Sequence, residues 1–311
     1  MTTHEIPGPP FRLWSTEHEP VLTVSDGDVV EFTVQDASGG VYDDAQTGAN
    51  PPALDFDRVY PLAGPVVVEG AESGDVVSLE PLEFTTGDWA WTASIPGLGL
   101  LPDDFDDAYL YRWDIQNQSS VAFHDVATIP LRPFLGVMAV TPDVAEPTPV
   151  MPPGYFGGNM DCRDLVVGST LYLPVQLPGA RLAFGDPHGA QGDGEVCVSA
   201  MELGSMQGAV RVRLHKDRVI PGPQFETTGP LRAGIEDAGH HATMGVAPDL
   251  MKAAQDAVRA MIDLLGREYR LEPRDAYLLC SVVVDLKISE VVDAPNWVVT
   301  AYLPKSVMNR R

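Results

Sequence analysis

Apolar residues fall on alternate positions through most of the first 140 residues. The stretch "EPVLTVSDGDVVEFTV" (19–34) has two such runs around a turn at Ser25–Asp28, which predicts a hairpin. The stretch "GPVVVEGAESGDVVSLEPLEF" (64–84) repeats the format around Gly74-Asp75. The two turns share a Gly-Asp-Val-Val entry, which turn chemistry alone explains at least as well as an internal repeat. Past residue 168, "STLYLPVQLPGARLAFG" and "EVCVSAMEL" leading to "GAVRVRLHK" again read as strands and turns.

The apolar period lengthens only near the C-terminus. In "PDLMKAAQDAVRAMIDLLG" (248–266), Leu250, Ala254, Ala257, Met261, Leu264 and Leu265 form one stripe, with Pro248 near the start and Gly266 as the stop. "PRDAYLLCSVVVDL" (273–286) reads as a second helix despite its valines, because Pro273 and Asp275 suit a helix start. "EVVDAPNWVVTAYLP" (290–304) returns to β. The expected fold is mainly β, with a smaller C-terminal α/β part carrying two helices. Pro142, Pro147, Pro149, Pro152 and Pro153 make 141–157 an extended connector and divide the chain into 1–145 and 146–311.

The 311 residues carry 20 Lys+Arg against 44 Asp+Glu, a net charge of −24. Such a surface repels nucleic acid and anionic membranes, so neither is an expected partner. It fits simple solubility, and equally adaptation to high salt, since Lys216, Lys252, Lys287 and Lys305 are the only lysines. Three cysteines without metal-ligand spacing and an N-terminus without a signal-peptide pattern point to the cytoplasm. The acidic stretch 97–108 lacks the calcium-loop pattern and reads as a solvated loop.

Chemistry concentrates in "GGNMDCRDL" (157–165) and "GDPHGAQGDGE" (185–195). In extended chain, residues two apart share a face, so Asn159 pairs with Asp161, Asp186 with His188, and Asp193 with Glu195. The glycines let a small ligand approach the backbone. Asp-x-His suits either metal ligation or a carboxylate-oriented imidazole. Pro187 is expected to hold Asp186 in extended backbone. His240-His241 and Asp36 are weaker candidates, better explained as loop and turn residues; His124 and Cys162 have no partner at useful spacing. No Gly-x-Ser-x-Gly elbow, His-Glu-x-x-His or phosphate-binding glycine loop is present.

Several segments resemble the acetamidase/formamidase family: "GGNMD", "LYLPV", "PGA", "GD-H--QGDGE" with Glu202 following, "GPVVVEGAESGDVV", "PGLGLL", "PLRPFLGVMAVTP" and "DAYLLCSVVVDLKISEVVD". The resemblance spans nearly the whole chain in order. It implies a sandwich-like or jelly-roll-like domain, a barrel-like β portion, a smaller helix-bearing part, and a homodimer or higher homo-oligomer. It also implies hydrolysis of a short amide, such as formamide or acetamide, to carboxylate and ammonia. The family pattern carries a small residue, typically Gly, where Pro187 stands, and usually Ala at Gly189, so substrate preference is open.

The expected mechanism uses a divalent metal, zinc, on His188, Asp186 and Asp161, with Glu195 as acid/base. Asn159, Gly185, Gln191 and Gly192 would bind substrate. A metal-free version keeps Glu195 and His188 as the acid/base pair, with Asp186 orienting the imidazole. Two alternatives stand beside it: a non-catalytic β-sandwich module holding a metal or small polar ligand, and a hydrolase of a larger amide on the same scaffold.

Overall fold

The computed structural model describes residues 1–231, 234, 235 and 237–309. The paired apolar runs form strands, yet they do not pair with each other. Leu22–Val24 joins Ala63–Val68 in parallel, whereas Val29–Gln35 joins Ser205–His215. Ala63–Val68 also lies beside Leu182–His188, while Val76–Thr86 lies beside Ser205–His215 and Thr170–Pro174. Each expected hairpin turn is therefore a corner where the chain passes from one sheet to another. The two corners are built alike: the Asp28 carboxylate accepts from the Ser25 N–H at 3.1 Å, and Asp75 from the Glu72 N–H at 2.8 Å. A turn fixes a change of direction locally, but each strand's partner is decided by which sheet offers an apolar face.

Among the described residues a six-stranded and a nine-stranded sheet result, and neither closes on itself. The barrel-like portion implied by the resemblance is thus an open sheet. The sheets face each other across an apolar core. Val30, Phe32 and Val34 point inward from Val29–Gln35, and Glu31, Thr33 and Gln35 alternate outward. Phe32 stacks on Phe184 of the opposing sheet with centroids 4.8 Å apart. Both halves of the chain, 1–145 and 146–311, contribute strands to each large sheet. The proline-rich segment 141–157 leaves Phe134–Val140 and returns as Gly157–Asn159, which pairs with that same strand.

The C-terminal unit is a three-stranded sheet of His240–Ala247, Trp297–Pro304 and Asp285–Glu290 with two helices against it. Helix α1 (Leu250–Tyr269) is capped by Asp249, whose carboxylate accepts from the Lys252 N–H at 2.8 Å. It buries Ala253, Ala257, Val258, Met261 and Leu265, a stripe rotated from the expected one, and Leu250 stays exposed. The rotation follows from Gly245, where any Cβ would overlap the Ala253 carbonyl, so small residues of α1 lie closest to the sheet. Gly266 lies inside the helix, which ends instead where Arg270 adopts φ 60°. Helix α2 (Pro273–Val283) begins at its proline and is buried from Ala276 to Val283. No described helix is long and apolar enough to cross a membrane.

Arginines tie this unit to the sheets. Arg259 grips Asp104 through two hydrogen bonds of 2.7 and 2.6 Å, and Arg274 binds Asp107, so the acidic loop 97–108 is anchored rather than merely solvated. Deeper in, Arg163 binds fully buried Asp285 in a two-pronged pair, with Nη2–Oδ2 at 2.9 Å, and holds Asp193 at 2.9 Å through Nε. Its guanidinium also reaches the Gln191 carbonyl at 3.3 Å. This pair fastens the glycine-rich loop to the end of α2. Removing one partner leaves a desolvated charge, so Asp285→Ala is expected to cost about 3–5 kcal/mol in urea unfolding. An unchanged midpoint would show that the clamp contributes nothing to stability.

Candidate active site

The site grows from the strand Leu182–His188, all of whose side chains are buried. Its neighbour Phe134–Val140 pairs Leu135 with Pro187 and Val137 with Gly185, which sets Gly136 against Asp186. A Cβ on Gly136 would overlap the carboxylates of both Asp186 and Asp161. This glycine is what lets two acids from different segments meet. On the other side, His188 pairs with Glu202 of the short strand Glu202–Leu203.

His188 is the hub, with no exposed surface. Its ring stands edge-on to Phe134, with centroids 5.0 Å apart. Nε2 lies 3.1 Å from Glu202 Oε2, 3.3 Å from Asp186 Oδ1 and 4.0 Å from Glu195 Oε1. The other nitrogen, Nδ1, is 3.0 Å from Gln191 Oε1. Gln191 donates its own amide to the Asp161 carbonyl at 2.6 Å, and a carbonyl can only accept. Oε1 must therefore face the imidazole, so Nδ1 carries the hydrogen and Nε2 turns its lone pair, or a second proton, toward the acids. Asn159 Nδ2 donates to Asp161 Oδ2 at 3.0 Å, and the Glu202 carboxylate accepts from the Ala200 N–H at 2.7 Å.

Four carboxylates, two of them buried and Asp161 and Glu195 half-buried, thus surround one fully buried imidazole. Burial, reinforced by Asp186, pushes Asp161 up to about 7 against the pull of His188. Burial pushes Glu202 up to about 7, with His188 opposing and Asp186 assisting. Glu195 rises well above the carboxylate range through burial and the nearby Asp161 charge. Burial disfavours a charged His188, but Glu202 and Asp186 outweigh it and hold the imidazole well above its ordinary value.

Backbone strain marks the same place. Asp161, Asp186 and Glu195 have φ of 46°, 58° and 42°, in the left-handed region that non-glycine residues rarely adopt. The expectation that Pro187 keeps Asp186 extended is therefore wrong: the inter-strand pairing and the ring of carboxylates override the local preference of a pre-proline residue.

The expected residues meet only in part. Asn159 with Asp161, and Asp186 with His188, converge as the two-residue spacing predicts. Asp193 and Glu195 do not, because 189–198 is loop rather than strand: Asp193 faces Arg163 while Glu195 faces His188. Gly185 packs on Leu62 and Gly192 on Val284, while Gln191 orients the imidazole. His241 binds the Tyr269 hydroxyl at 2.9 Å and His240 meets the Tyr302 ring, both outside the cluster. Asp36 caps its own turn through Ser38 and Gly40, and Cys162 packs against the core. His124, expected to have no partner, lies 3.2 Å from Asp275, a pairing only the folded chain brings about.

Motif spacing did not select Glu202 or Gly136 as site residues. A lone acid between the apolar residues Met201 and Leu203 was the available signal for Glu202. Gly136 had none beyond being a glycine inside an apolar strand.

The Acetamidase/Formamidase family signature matches residues 5–148 and 143–310. A formamidase of Methylophilus methylotrophus is 24% identical over 94% of this chain and 88% of its own. An acetamidase of Mycolicibacterium smegmatis is 26% identical over 74% of this chain and 71% of its own. The crystal structure of an acetamidase from Bacillus halodurans is 30% identical, covers 97% of this chain and 96% of its own, and superposes with a TM-score of 0.67. A gamma lactamase from Delftia acidovorans, 23% identical over 96% and 89% of the two chains, shares the fold with a TM-score of 0.89. The chain belongs to the acetamidase/formamidase family of amide hydrolases, which act on C–N bonds.

Proposed function

We propose that this chain hydrolyses a short primary amide, such as formamide or acetamide, to carboxylate and ammonia at the His188 cluster, with zinc held there. One observation carries the reading. Asp161 Oδ1, Asp186 Oδ1, His188 Nε2 and Glu202 Oε2 are all buried without a hydrogen-bond partner, and they gather in one place. Unpaired buried acceptors are costly, and a divalent cation would compensate all of them together. Two overlapping sets offer ligand atoms within 4.8 Å of one another: Asp161, Asp186 and His188, and His188, Glu195 and Glu202. Carboxylate oxygens with one imidazole nitrogen suit zinc, and the Gln191 contact leaves Nε2 free to ligate. Zinc bound here supplies Lewis acidity, bringing the pKa of a water to about 7 and polarising a carbonyl.

The protein groups divide the remaining work. Solvent reaches Glu195, whose side chain is 18% exposed, and half-buried Asp161, whereas Asp186 and Glu202 are 3% exposed; of the two, Glu195 is the one not tied down by Asn159. It takes the proton from the attacking water and returns it to the departing nitrogen. Gln191 and Asn159 hold the imidazole and Asp161 in place. A cavity of about 30 Å³, lined by Tyr60, Trp91, Leu98 and Met151 among others, ends at Glu202. Its size supports a substrate of a few heavy atoms, and its walls are mainly apolar.

Ammonia release is expected from formamide or acetamide, with less from propionamide; a γ-lactam would open to an amino acid and release none, so its turnover is read as ring opening and is expected to be slower. Activity is expected to disappear on chelation and return with zinc. No ammonia from the three amides and no lactam opening would leave a binding module or a hydrolase of a larger amide, and full turnover by metal-free protein would remove the zinc. Glu195→Gln is expected to keep its fold and lose about 10²–10⁴ in kcat; near-normal turnover would exclude Glu195 as the acid/base.

The metal-free protein carries a pH signature. Asp161 and Glu202 titrate near 7 when folded, against ordinary values of 3.8 and 4.5, so between about pH 4 and 7 the folded state binds more protons than the unfolded. Stability falls as pH rises through that window. The raised His188 acts in the same direction, its contribution being lost as pH passes its folded value. Denaturant midpoints in chelator should decline from pH 5 to pH 8, and Asp161→Asn should flatten the slope. A midpoint that rises with pH would contradict this electrostatic account.

A further inference from the structure

The cluster holds many acceptors and few free donors. Asp161, Asp186, Glu195 and Glu202 accept, the Nδ1 hydrogen of His188 is committed to Gln191, and one of the two Asn159 amide hydrogens is taken by Asp161. An amide substrate brings N–H donors of its own, which such a site can receive. It also brings a carbonyl that needs a donor.

Tyr60 is placed to supply it. Its side chain lines the same cavity as Glu202, and it senses the charges of all four acids, Asp186 most strongly. No described residue hydrogen-bonds its hydroxyl. Ser199, the other hydroxyl on the cavity wall, is already occupied by the Ala93 carbonyl at 3.0 Å and the Ala93 N–H at 2.8 Å. Tyr60 is also strained: its φ is 53°, just ahead of Pro61, and its N–H is pinned to the Ala37 carbonyl at 2.8 Å. Its ring packs at the edges of two separate apolar clusters, one around Trp14 and Leu62 and the other around Tyr42 and Trp91. Strain of this kind persists where surroundings over-determine a position, and it recurs here at Asp161, Asp186 and Glu195 of the cluster. A phenol is a neutral donor at neutral pH without any perturbation, its ordinary pKa being about 10.

We propose that the Tyr60 hydroxyl donates a hydrogen bond to the carbonyl oxygen of the amide substrate and strengthens it as negative charge develops there. This rests on the amidase reading above. The test compares Tyr60→Phe with the zinc-loaded wild type on acetamide and thioacetamide, with thermal unfolding and metal content measured for both proteins. Because the hydroxyl has no intramolecular bond, its removal leaves fold and metal content intact. The expected result is a loss of about 10²–10³ in kcat/KM for acetamide, mostly in kcat. The loss should be clearly smaller for thioacetamide, whose sulfur is a poorer hydrogen-bond acceptor. An equal loss on both substrates means that Tyr60 only shapes the cavity and overturns the proposal, as does a change of less than threefold on acetamide. A wild type inactive on every short amide overturns the amidase reading itself, and this proposal with it.

Discussion

Burying four carboxylates around a single imidazole is the constraint on which the rest of this structure depends. Each charge taken from water carries a penalty of several kcal/mol, and like charges a few ångströms apart add to it. The cluster around His188 is tolerable only when protons or a cation occupy it. The elevated titration of Asp161, Glu195 and Glu202 is the form this takes with protons alone. The same arrangement could hold a cation, since whatever disfavours carboxylate charge in isolation favours a positive ion among them.

Holding such a cluster requires a scaffold that does not yield. The acids and the imidazole come from Leu182–His188, from Glu202, and from loops that end beside Gly136. Arg163 with Asp285 fastens the glycine-rich loop to α2, and Gln191 bridges His188 to the Asp161 backbone. Left-handed backbone at Asp161, Asp186, Glu195 and Tyr60 is the local cost of aiming these side chains inward. The two sandwiched sheets supply the rigidity that sustains it, with the Phe32–Phe184 stack between them.

Much of this was legible from residues alone. Period-two alternation located the strands, the 3.6-residue period located α1, and the start signal of Pro273 and Asp275 located α2. Spacing also put Asp186 with His188 and Asn159 with Asp161, although Asp161 and Asp186 reach the cluster from left-handed rather than extended backbone. The same rule failed for Asp193 and Glu195, which the loop sends to Arg163 and to His188. It failed again for the two expected hairpins, whose turns formed while their strands joined different sheets.

The sequence by itself determined the mainly β class, the two C-terminal helices and the segments bearing the chemistry, since these follow from local periodicity and from residues a few positions apart. Only the tertiary structure decided that Glu202 approaches His188, that Gly136 opens room for two acids, that Arg163 meets Asp285, and that Tyr60 shares a cavity wall with Glu202. Each of these depends on segments distant in the chain being pressed together as apolar faces are buried. Asp186 shows the division most clearly. Its neighbour Pro187 predicts extended backbone, yet strand pairing and the surrounding charges hold it at φ 58°, because the packing of two sheets outweighs the preference of one dipeptide.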